Sequence, residues 1–429
     1  MSPINDNLTR IKACRNMNLC KKYDQQYYYY YGQEQDTNKN TEITSSLKSI
    51  KKNAIFMMCI INEHYVIAAC ITAFCHRRML TKAGIKDTTD LVIMCDDKIY
   101  SKYHKLLENS LFFDVVEIID VRKFEIKEDY FFSKIKYSSW IGASINKWQS
   151  LSHDEYHRII FTDIALIPVR PELYELFNKN VPSVLIRKKI PSDKESYNCT
   201  DGEPIKNVRK CDISYDEYLK FEEIYGTIHG SIALLDPNKI LYESYVKMTN
   251  DIYKNGIYSI YKSGPDETSL FYFFLKMNIK VYEICHENAV IPWDEPILVD
   301  SAKSYVFSSL FKAWIKPRVL CWPEELLWND IFKVIQKLLV KSNVDSYTIL
   351  NELYKQTHID TYHKYVSSDS RTKQKNFNDK YVNRLRKEFD ELSNIEDSDD
   401  LFDSLERLGS KIFVKFYGQL KTDTLTKIL

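Results

Sequence analysis

Short apolar runs alternate with stretches of helical period through the first half of the chain. Residues 53–61 (NAIFMMCII), 90–97 (DLVIMCDD) and 114–121 (DVVEIIDV) are brief and mainly apolar, which is typical of strands covered on both faces. The segments that follow the first two, HYVIAACITAFCHRRML and KIYSKYHKLLENS, have apolar residues at helical spacing. Repeated strand and helix units predict right-handed crossovers and an α/β fold with a mostly parallel, doubly wound sheet.

Three polar turns directly follow apolar runs: CIINEHY, MCDD and TDIA. Ligands bind beyond the carboxyl ends of the strands in sheets of this kind, so we expect these turns on one rim, where the chemistry belongs. In the third turn Asp163 is a single carboxylate after the run IIFT, and Ala165 stands two residues on.

The pattern divides the chain into three parts. Residues 1–52 are polar and lack a sustained apolar period, which predicts a flexible, low-complexity leader. Residues 53–321 carry the strand and helix pattern, interrupted by a charged insertion at 190–217. Residues 322–429 are helical in pattern and predict a helical C-terminal region.

Charge and apolar content exclude several classes of protein. Sixty basic and 59 acidic side chains nearly cancel and form no basic block, which argues against nucleic acid as a partner. No apolar run has the roughly 18 to 20 residues that a membrane span needs. The first 35 residues lack the apolar segment of a signal peptide, so we expect a cytoplasmic protein.

The ten cysteines are scattered along the chain. They form no CxxC pair and no cluster with histidine at zinc spacing, and several lie inside apolar runs. This usage predicts buried free thiols in a reducing compartment.

Five blocks of sequence occur in an order that resembles the glycogenin-like family 8 glycosyltransferases. They are CIINEHYVIAA, LENSLFFDVVEIIDV, INKWQSLSHDEYHRIIFTDIALIPVRPELYELF, HGSIALLDPN and GPDETSLF, and the resemblance as a whole covers residues 53–320. The resemblance rests on their joint order and implies a GT-A fold that transfers a sugar from a nucleotide sugar with retention. Divergent members of this type occur in large DNA viruses. The heavy use of Lys, Asn, Ile and Tyr is typical of an AT-rich genome, which fits such a source.

The resemblance implies that Asn62 and Tyr65, in the turn after the first strand, bind the nucleotide. It also implies that Lys147 lies on a helix that flanks the site. Taken from the residues alone, Asn62 is equally a turn former and Tyr65 a packing residue at a helix start. Lys147 by itself predicts an exposed surface lysine.

On the sugar side, the family's Asp-Gln pair beside the anomeric carbon corresponds to Asp266 and Glu267, and His229 stands where the family has an asparagine that contacts sugar or acceptor. A carboxylate there can stabilise an oxocarbenium-like transition state or act as a transient nucleophile. The alternatives are acidic residues favoured in a first helical turn, and a hydrogen-bonded rim histidine.

The expected metal ligands are incomplete. A diphosphate leaving group needs a cation or fixed donors, and Asp-x-Asp on a strand would aim two carboxylates at one Mn²⁺ or Mg²⁺. Here the second position is Ala165, and the late segment SYVFSSLFKAWIKPRVLCW offers no histidine as third ligand. Three hypotheses follow: weak metal binding through Asp163 and the diphosphate, replacement of the metal by Lys316 and Arg318, or loss of catalysis with retention of the fold.

The leading hypothesis is a retaining glycosyltransferase that moves a hexose from a nucleotide sugar, of the UDP type, to an unknown protein, glycan or small-molecule acceptor. Its rivals are a non-catalytic scaffold that uses the helical region for partners, and a module that senses UDP. Tyrosines 27–31 suggest self-glycosylation, but they lie in the leader rather than in a later loop. The sequence leaves the oligomeric state open, a homodimer included.

Overall fold

The computed structural model describes residues 51–122, 141–187, 197–205, 217–218, 227–254, 264–292, 295–307 and 323–365. The leader up to residue 50, its tyrosine run, Lys316, Arg318 and the chain after residue 365 lie outside the described residues.

Nine strands lie within the described ranges: β1 Asn53–Cys59, β2 Thr89–Cys95, β3 Val115–Ile118, β4 Ile159–Thr162, β5 Leu166–Pro168, β6 Ser183–Arg187, β7 Thr227–Leu235, β8 Tyr282–Ile284 and β9 Ser304–Val306. The α-helices of the same ranges are α1 Tyr65–Lys82, α2 Asp97–Leu107, α3 Lys239–Lys254, α4 Pro265–Lys276, α5 Pro323–Ser342 and α6 Val344–Tyr365. Two long 3₁₀ segments are Ile141–Ser152 (segment 1) and Pro171–Asn178 (segment 2), and shorter ones lie at Lys86–Thr88, His286–Asn288 and Pro296–Leu298.

The main sheet has the strand order β3-β2-β1-β4-β7-β6-β8. Strands β3, β2, β1 and β4 are parallel, β7 is antiparallel to both β4 and β6, and β8 is parallel to β6. Strands β5 and β9 form a separate antiparallel pair. The α/β class and the mostly parallel sheet predicted from the sequence are therefore confirmed.

Both faces of the sheet are covered. In β1, Ile55 and Met57 join an apolar cluster with α1, α2, α5 and α6, whereas Ala54 and Phe56 join a second cluster with segment 1, α3 and α4. A strand buried on both faces can carry apolar residues at every position, which is why β1 and β2 have continuous apolar runs. The doubly wound arrangement is confirmed.

Helices α5 and α6 pack onto the α1 side of the sheet. Trp328, Phe332 and Tyr354 stack in sequence, with ring centroids 5.6 and 4.6 Å apart, and the first two belong to the same apolar cluster as α1. The Asn109 amide after α2 donates to the Ser346 hydroxyl of α6 at 3.2 Å. The described part of the helical C-terminal region therefore shares the core of the sheet domain.

The prediction of free thiols is right for some cysteines and wrong for one pair. Cys59, Cys70, Cys75 and Cys95 are free and buried, and burial raises the pKa of the Cys95 thiol to about 12, which makes it unreactive. Cys199 and Cys285, however, form a disulfide across a sequence separation of 86. The fold brings the end of β8 against residues 197–205, a contact that no local cysteine spacing indicates.

None of the described helices is both long enough and apolar enough to cross a membrane.

Candidate active site

The turns after β1 and β2 meet at one rim, as predicted. Asp96 caps α2 by accepting a hydrogen bond from the Ile99 backbone N–H at 2.9 Å, and its other oxygen accepts from the Ile61 N–H at 2.5 Å. Since β4 is parallel to β1, Asp163 follows β4 at the same rim. Asp96 is therefore a helix cap that also joins two neighbouring turns.

Asp163 lies in a turn and not in a strand. Strand β4 ends at Thr162, and the Leu166 N–H donates to the Asp163 carbonyl at 2.9 Å. The alternation that would aim positions 163 and 165 the same way does not apply here, so that part of the sequence argument is wrong. Ala165 is 6% exposed and lies in the apolar cluster on the α1 face.

The start of α4 explains the position of Glu267. Gly264 precedes the helix and Pro265 begins it, which fits the preference of proline for the first helical position. One Glu267 carboxylate oxygen accepts from the Gly264 N–H at 2.7 Å, and the other accepts from the Gly230 N–H of β7 at 2.6 Å. Glu267 thus caps its own helix and fastens α4 to β7.

Lys147 is buried, so its interpretation as a surface lysine is wrong. Its side chain, from segment 1, is 8% exposed, and Nζ lies 2.6 Å from Asp266 Oδ2 and 3.3 Å from Asp163 Oδ1. Nζ also donates to the Gly230 carbonyl at 3.3 Å. Burial alone lowers the pKa of a lysine, but the carboxylates of Asp163, Asp266 and Glu267 outweigh it and raise the pKa of Lys147.

Asp266 is held as a carboxylate by its partners. Its side chain is 8% exposed, and Oδ1 accepts a hydrogen bond from the Ser144 hydroxyl at 2.9 Å. Burial raises the pKa of Asp266, but the charge and hydrogen bond of Lys147, followed by the Ser144 hydrogen bond, lower it below its usual range. The Trp148 indole fixes the same turn by donating to the Asp266 carbonyl at 2.8 Å.

Glu267 differs from its neighbour. Burial, followed by the adjacent negative charge of Asp266, raises the pKa of Glu267 to about 7, while Lys147 and the two backbone amides oppose the shift. Two adjacent carboxyl groups therefore have pKa values shifted in opposite directions, a pattern that is typical of acid and base pairs in enzymes. We call Lys147, Asp163, Asp266 and Glu267 the charged cluster.

Two predicted residues, His229 and Asn62, have local structural partners, and a third, Tyr65, begins α1. The ring Nδ1 of His229 lies 2.6 Å from the Ser231 hydroxyl, as the rim-histidine interpretation predicts. The Asn62 side chain accepts from the His64 N–H at 3.1 Å, and its carbonyl accepts from Tyr65, where α1 begins. Asn62 is thus a turn former, and its contact with a nucleotide stays a prediction.

The described residues do not fit a divalent cation. Among them, no group of three or more His, Cys, Asp and Glu side chains could hold a metal ion. One oxygen of Asp163 faces the ammonium of Lys147, both oxygens of Asp266 are bonded, and the buried Ala165 supplies no ligand. Among the described residues, no second side chain is therefore available to bind a metal ion together with Asp163.

Sequence reasoning missed Ser144, Trp148 and Gly230 as parts of the site. The first two carry no pattern that separates them from ordinary helix residues. Gly230 does carry a signal, because an isolated glycine inside a strand indicates a close backbone approach. A Cβ at this position would lie 2.9 Å from Glu267 Cγ and 3.0 Å from Lys147 Nζ.

We therefore expect Gly230→Ala to lower the free energy of unfolding by about 1–3 kcal/mol, since the methyl group must displace Glu267 or Lys147. Chemical denaturation measures the change. In the double variant Gly230→Ala/Glu267→Ala the main clash is gone, so the added cost of the alanine should be smaller than in the wild-type background. Equal costs in both backgrounds would contradict the packing described above.

Comparisons with known proteins give structural similarity only. The sequence matches no protein-family model and no curated protein. The galactosyltransferase LgtC, solved with donor and acceptor sugar analogs, is similar with a TM-score of 0.41 and 12% identity, over 65% of this chain and 94% of LgtC. The apo form of the glycosyltransferase GlyE from Streptococcus pneumoniae TIGR4 is similar with a TM-score of 0.38 and 12% identity, over 72% of this chain and 64% of GlyE.

The apo form of WbbM, a bifunctional glycosyltransferase, gives a TM-score of 0.43 and 11% identity, over 75% of this chain and 54% of WbbM. At these low values the similarity supports no argument about function.

Proposed function

We propose that the chain is a glycosyltransferase with a GT-A arrangement that transfers a hexose from a nucleotide sugar, of the UDP type, with retention. The observation that supports this most is the buried ion pair between Lys147 and Asp266, with Asp163 3.3 Å from the same ammonium at the rim of the sheet. Ligands of such sheets bind beyond the carboxyl ends of the strands.

The charged cluster is proposed to act on the sugar. Asp266 carries a negative charge that lies in a buried setting, where it stabilises positive charge developing at the anomeric carbon. Lys147 orients Asp266 and Asp163 from one side, and Ser144 orients Asp266 from the other. Glu267 positions the helix that carries Asp266, since both of its oxygens accept backbone hydrogen bonds.

The nucleotide is proposed to bind along the same rim, at the turn with Asn62 and Tyr65. His229, next to Gly230 in β7, is proposed to contact the sugar or the acceptor. The charge of the leaving diphosphate would be met by Lys316 and Arg318, because basic side chains neutralise phosphate without a metal. The acceptor, whether protein, glycan or small molecule, is left open.

Two observations favour a second candidate, a non-catalytic protein on the same fold. Every carboxylate oxygen of Asp266 and Glu267 has a partner within the protein, and Ala165 stands where the family that the sequence resembles has a metal-binding aspartate. A site with satisfied carboxylates can persist for stability alone. The scaffold would then bind partners without turnover.

Binding of sugar nucleotides separates the two candidates. The shift in melting temperature is measured with a panel of UDP-sugars, with Mn²⁺ and with EDTA, for wild type, Asp163→Ala and Ala165→Asp. We expect stabilisation of the wild type by at least one UDP-sugar, unchanged by EDTA. We also expect Ala165→Asp to destabilise the apo protein, because it places a carboxylate in an apolar cluster. If no nucleotide shifts the wild type, the proposed function is wrong.

A further inference from the structure

The turn at residues 60–65, here called the donor turn, is held in an unusual backbone conformation. Ile61 has φ +67°, in the left-handed region that β-branched residues rarely adopt. Such a conformation persists only where the surroundings fix it, and residues of this kind cluster at active sites, ligand clamps and switch regions. The contacts that fix the donor turn are therefore informative.

Three of these contacts come from α2 and its N-cap residue. The Ile61 N–H donates to Asp96 at the end of β2. Glu63 accepts from Lys102 Nζ at 2.6 Å and from the Tyr103 hydroxyl at 2.8 Å, both on α2. These contacts hold the turn from the side of α2.

The fourth contact comes from α6, from a residue 293 positions further along the chain. The ring Nδ1 of His64 lies 2.8 Å from the hydroxyl of Thr357 in α6. That hydroxyl donates to the Leu353 carbonyl at 2.7 Å, so its oxygen is the acceptor and His64 Nδ1 carries the hydrogen. Thr357 is 0% exposed, so this hydrogen bond is shielded from water.

We propose that α6 holds the donor turn in its ligand-binding conformation through the Thr357–His64 hydrogen bond, which makes α6 a supporting part of the nucleotide site. His64 and Thr357 are positioning residues, since they act through the turn. The nucleotide part of this inference rests on the proposed function, whereas the coupling of α6 to the turn does not. Helices α5 and α6 already share the apolar cluster with α1, which begins at Tyr65, the last residue of the turn.

The test uses Thr357→Val, which keeps the shape of the side chain and removes the hydroxyl. The matched control is Ser346→Ala, which removes another fully buried hydroxyl of α6, one that contacts α2 and its following turn instead. Amide hydrogen exchange of residues 60–65 is expected to speed up about fivefold in Thr357→Val and to stay unchanged in the control. Thr357→Ser, which restores the hydroxyl, should restore slow exchange.

Titration with UDP gives a second readout. We expect the Kd for UDP to rise about fivefold in Thr357→Val and in His64→Gln, with the control unchanged. Exchange at residues 60–65 that stays as slow in Thr357→Val and His64→Gln as in Ser346→Ala would overturn the inference. If the wild type binds no UDP, the proposed function fails, and hydrogen exchange still decides whether α6 fixes the turn.

Discussion

Asp266→Asn is expected to lower the free energy of unfolding by about 3 kcal/mol and to cut sugar transfer at least about 100-fold. The substitution keeps the shape of the side chain but removes the charge 2.6 Å from Lys147, whose side chain is 8% exposed. A buried ammonium that loses its nearest carboxylate is destabilising, even though Asp163 remains at 3.3 Å. Urea denaturation and a transfer assay on the folded variant measure the two effects.

Two control variants separate charge from shape. Asp163→Asn should lower the free energy of unfolding by less than about 1 kcal/mol, because the Asp163 side chain is 39% exposed and its charge is screened by water. Asp266→Asn/Lys147→Met should recover much of the lost stability and none of the lost transfer, since the buried charge is removed together with its partner. A double variant that is less stable than Asp266→Asn alone would contradict the ion pair described here.

The same pair predicts how stability depends on pH. The pKa of Asp266 is lower in the folded protein than in the unfolded chain. The Asp266 carboxylate therefore contributes to the free energy of unfolding at pH values above the unfolded pKa. This contribution is lost as the pH falls through the folded pKa. The stability gap between wild type and Asp266→Asn should therefore be largest near neutral pH and shrink on acidification below about pH 4. A gap that widens in acid would show that another group controls it.

Reduction of the Cys199–Cys285 disulfide is expected to lower the free energy of unfolding by about 4 kcal/mol. The bond closes a loop with a sequence separation of 86, and this loop contains β7 and the start of α4, which carry Gly230 and Asp266. Cross-linking a long loop removes freedom mainly from the unfolded chain. Denaturation with and without reductant measures the difference.

The control is Cys199→Ser/Cys285→Ser, whose stability should not respond to reductant and should match the reduced wild type. Mass spectrometry of peptides prepared without reductant should find Cys199 and Cys285 linked, while Cys70 and Cys75 stay free. Free thiols at both positions in the folded protein would contradict the bond. The prediction from the sequence, that the cysteines are free thiols, would then be right for all described cysteines.

The sheet could be predicted because its signal is local. The apolar runs of β1 and β2 reflect burial on both faces, and the polar turns that follow them mark one rim. The alternation of side-chain direction that is typical of a strand does not hold at residues 163–165. The Asp163 carbonyl accepts a hydrogen bond from Leu166 and closes a turn, and Ala165 lies in the core. A period of two holds only while the chain remains a strand.

The charged cluster could be predicted only in part. Asp266 and Glu267 follow Gly264 at a helix start, which is visible in the sequence, but the same positions also suit simple capping, and Glu267 does cap. The burial of Lys147 depends on contacts with residues 83 and 119 positions away, which composition cannot indicate. The disulfide and the Thr357 contact are likewise products of long-range packing.

The most direct measurement of the proposed activity is the release of UDP and the transfer of sugar from UDP-hexoses, with and without EDTA, by wild type and Asp266→Asn. Matched folded fractions are used, so that loss of stability does not count as loss of activity. We expect turnover of at least one UDP-hexose by the wild type, insensitive to EDTA and lost in Asp266→Asn. Turnover that is equal in both proteins, or absent from the wild type with every UDP-hexose, would contradict it.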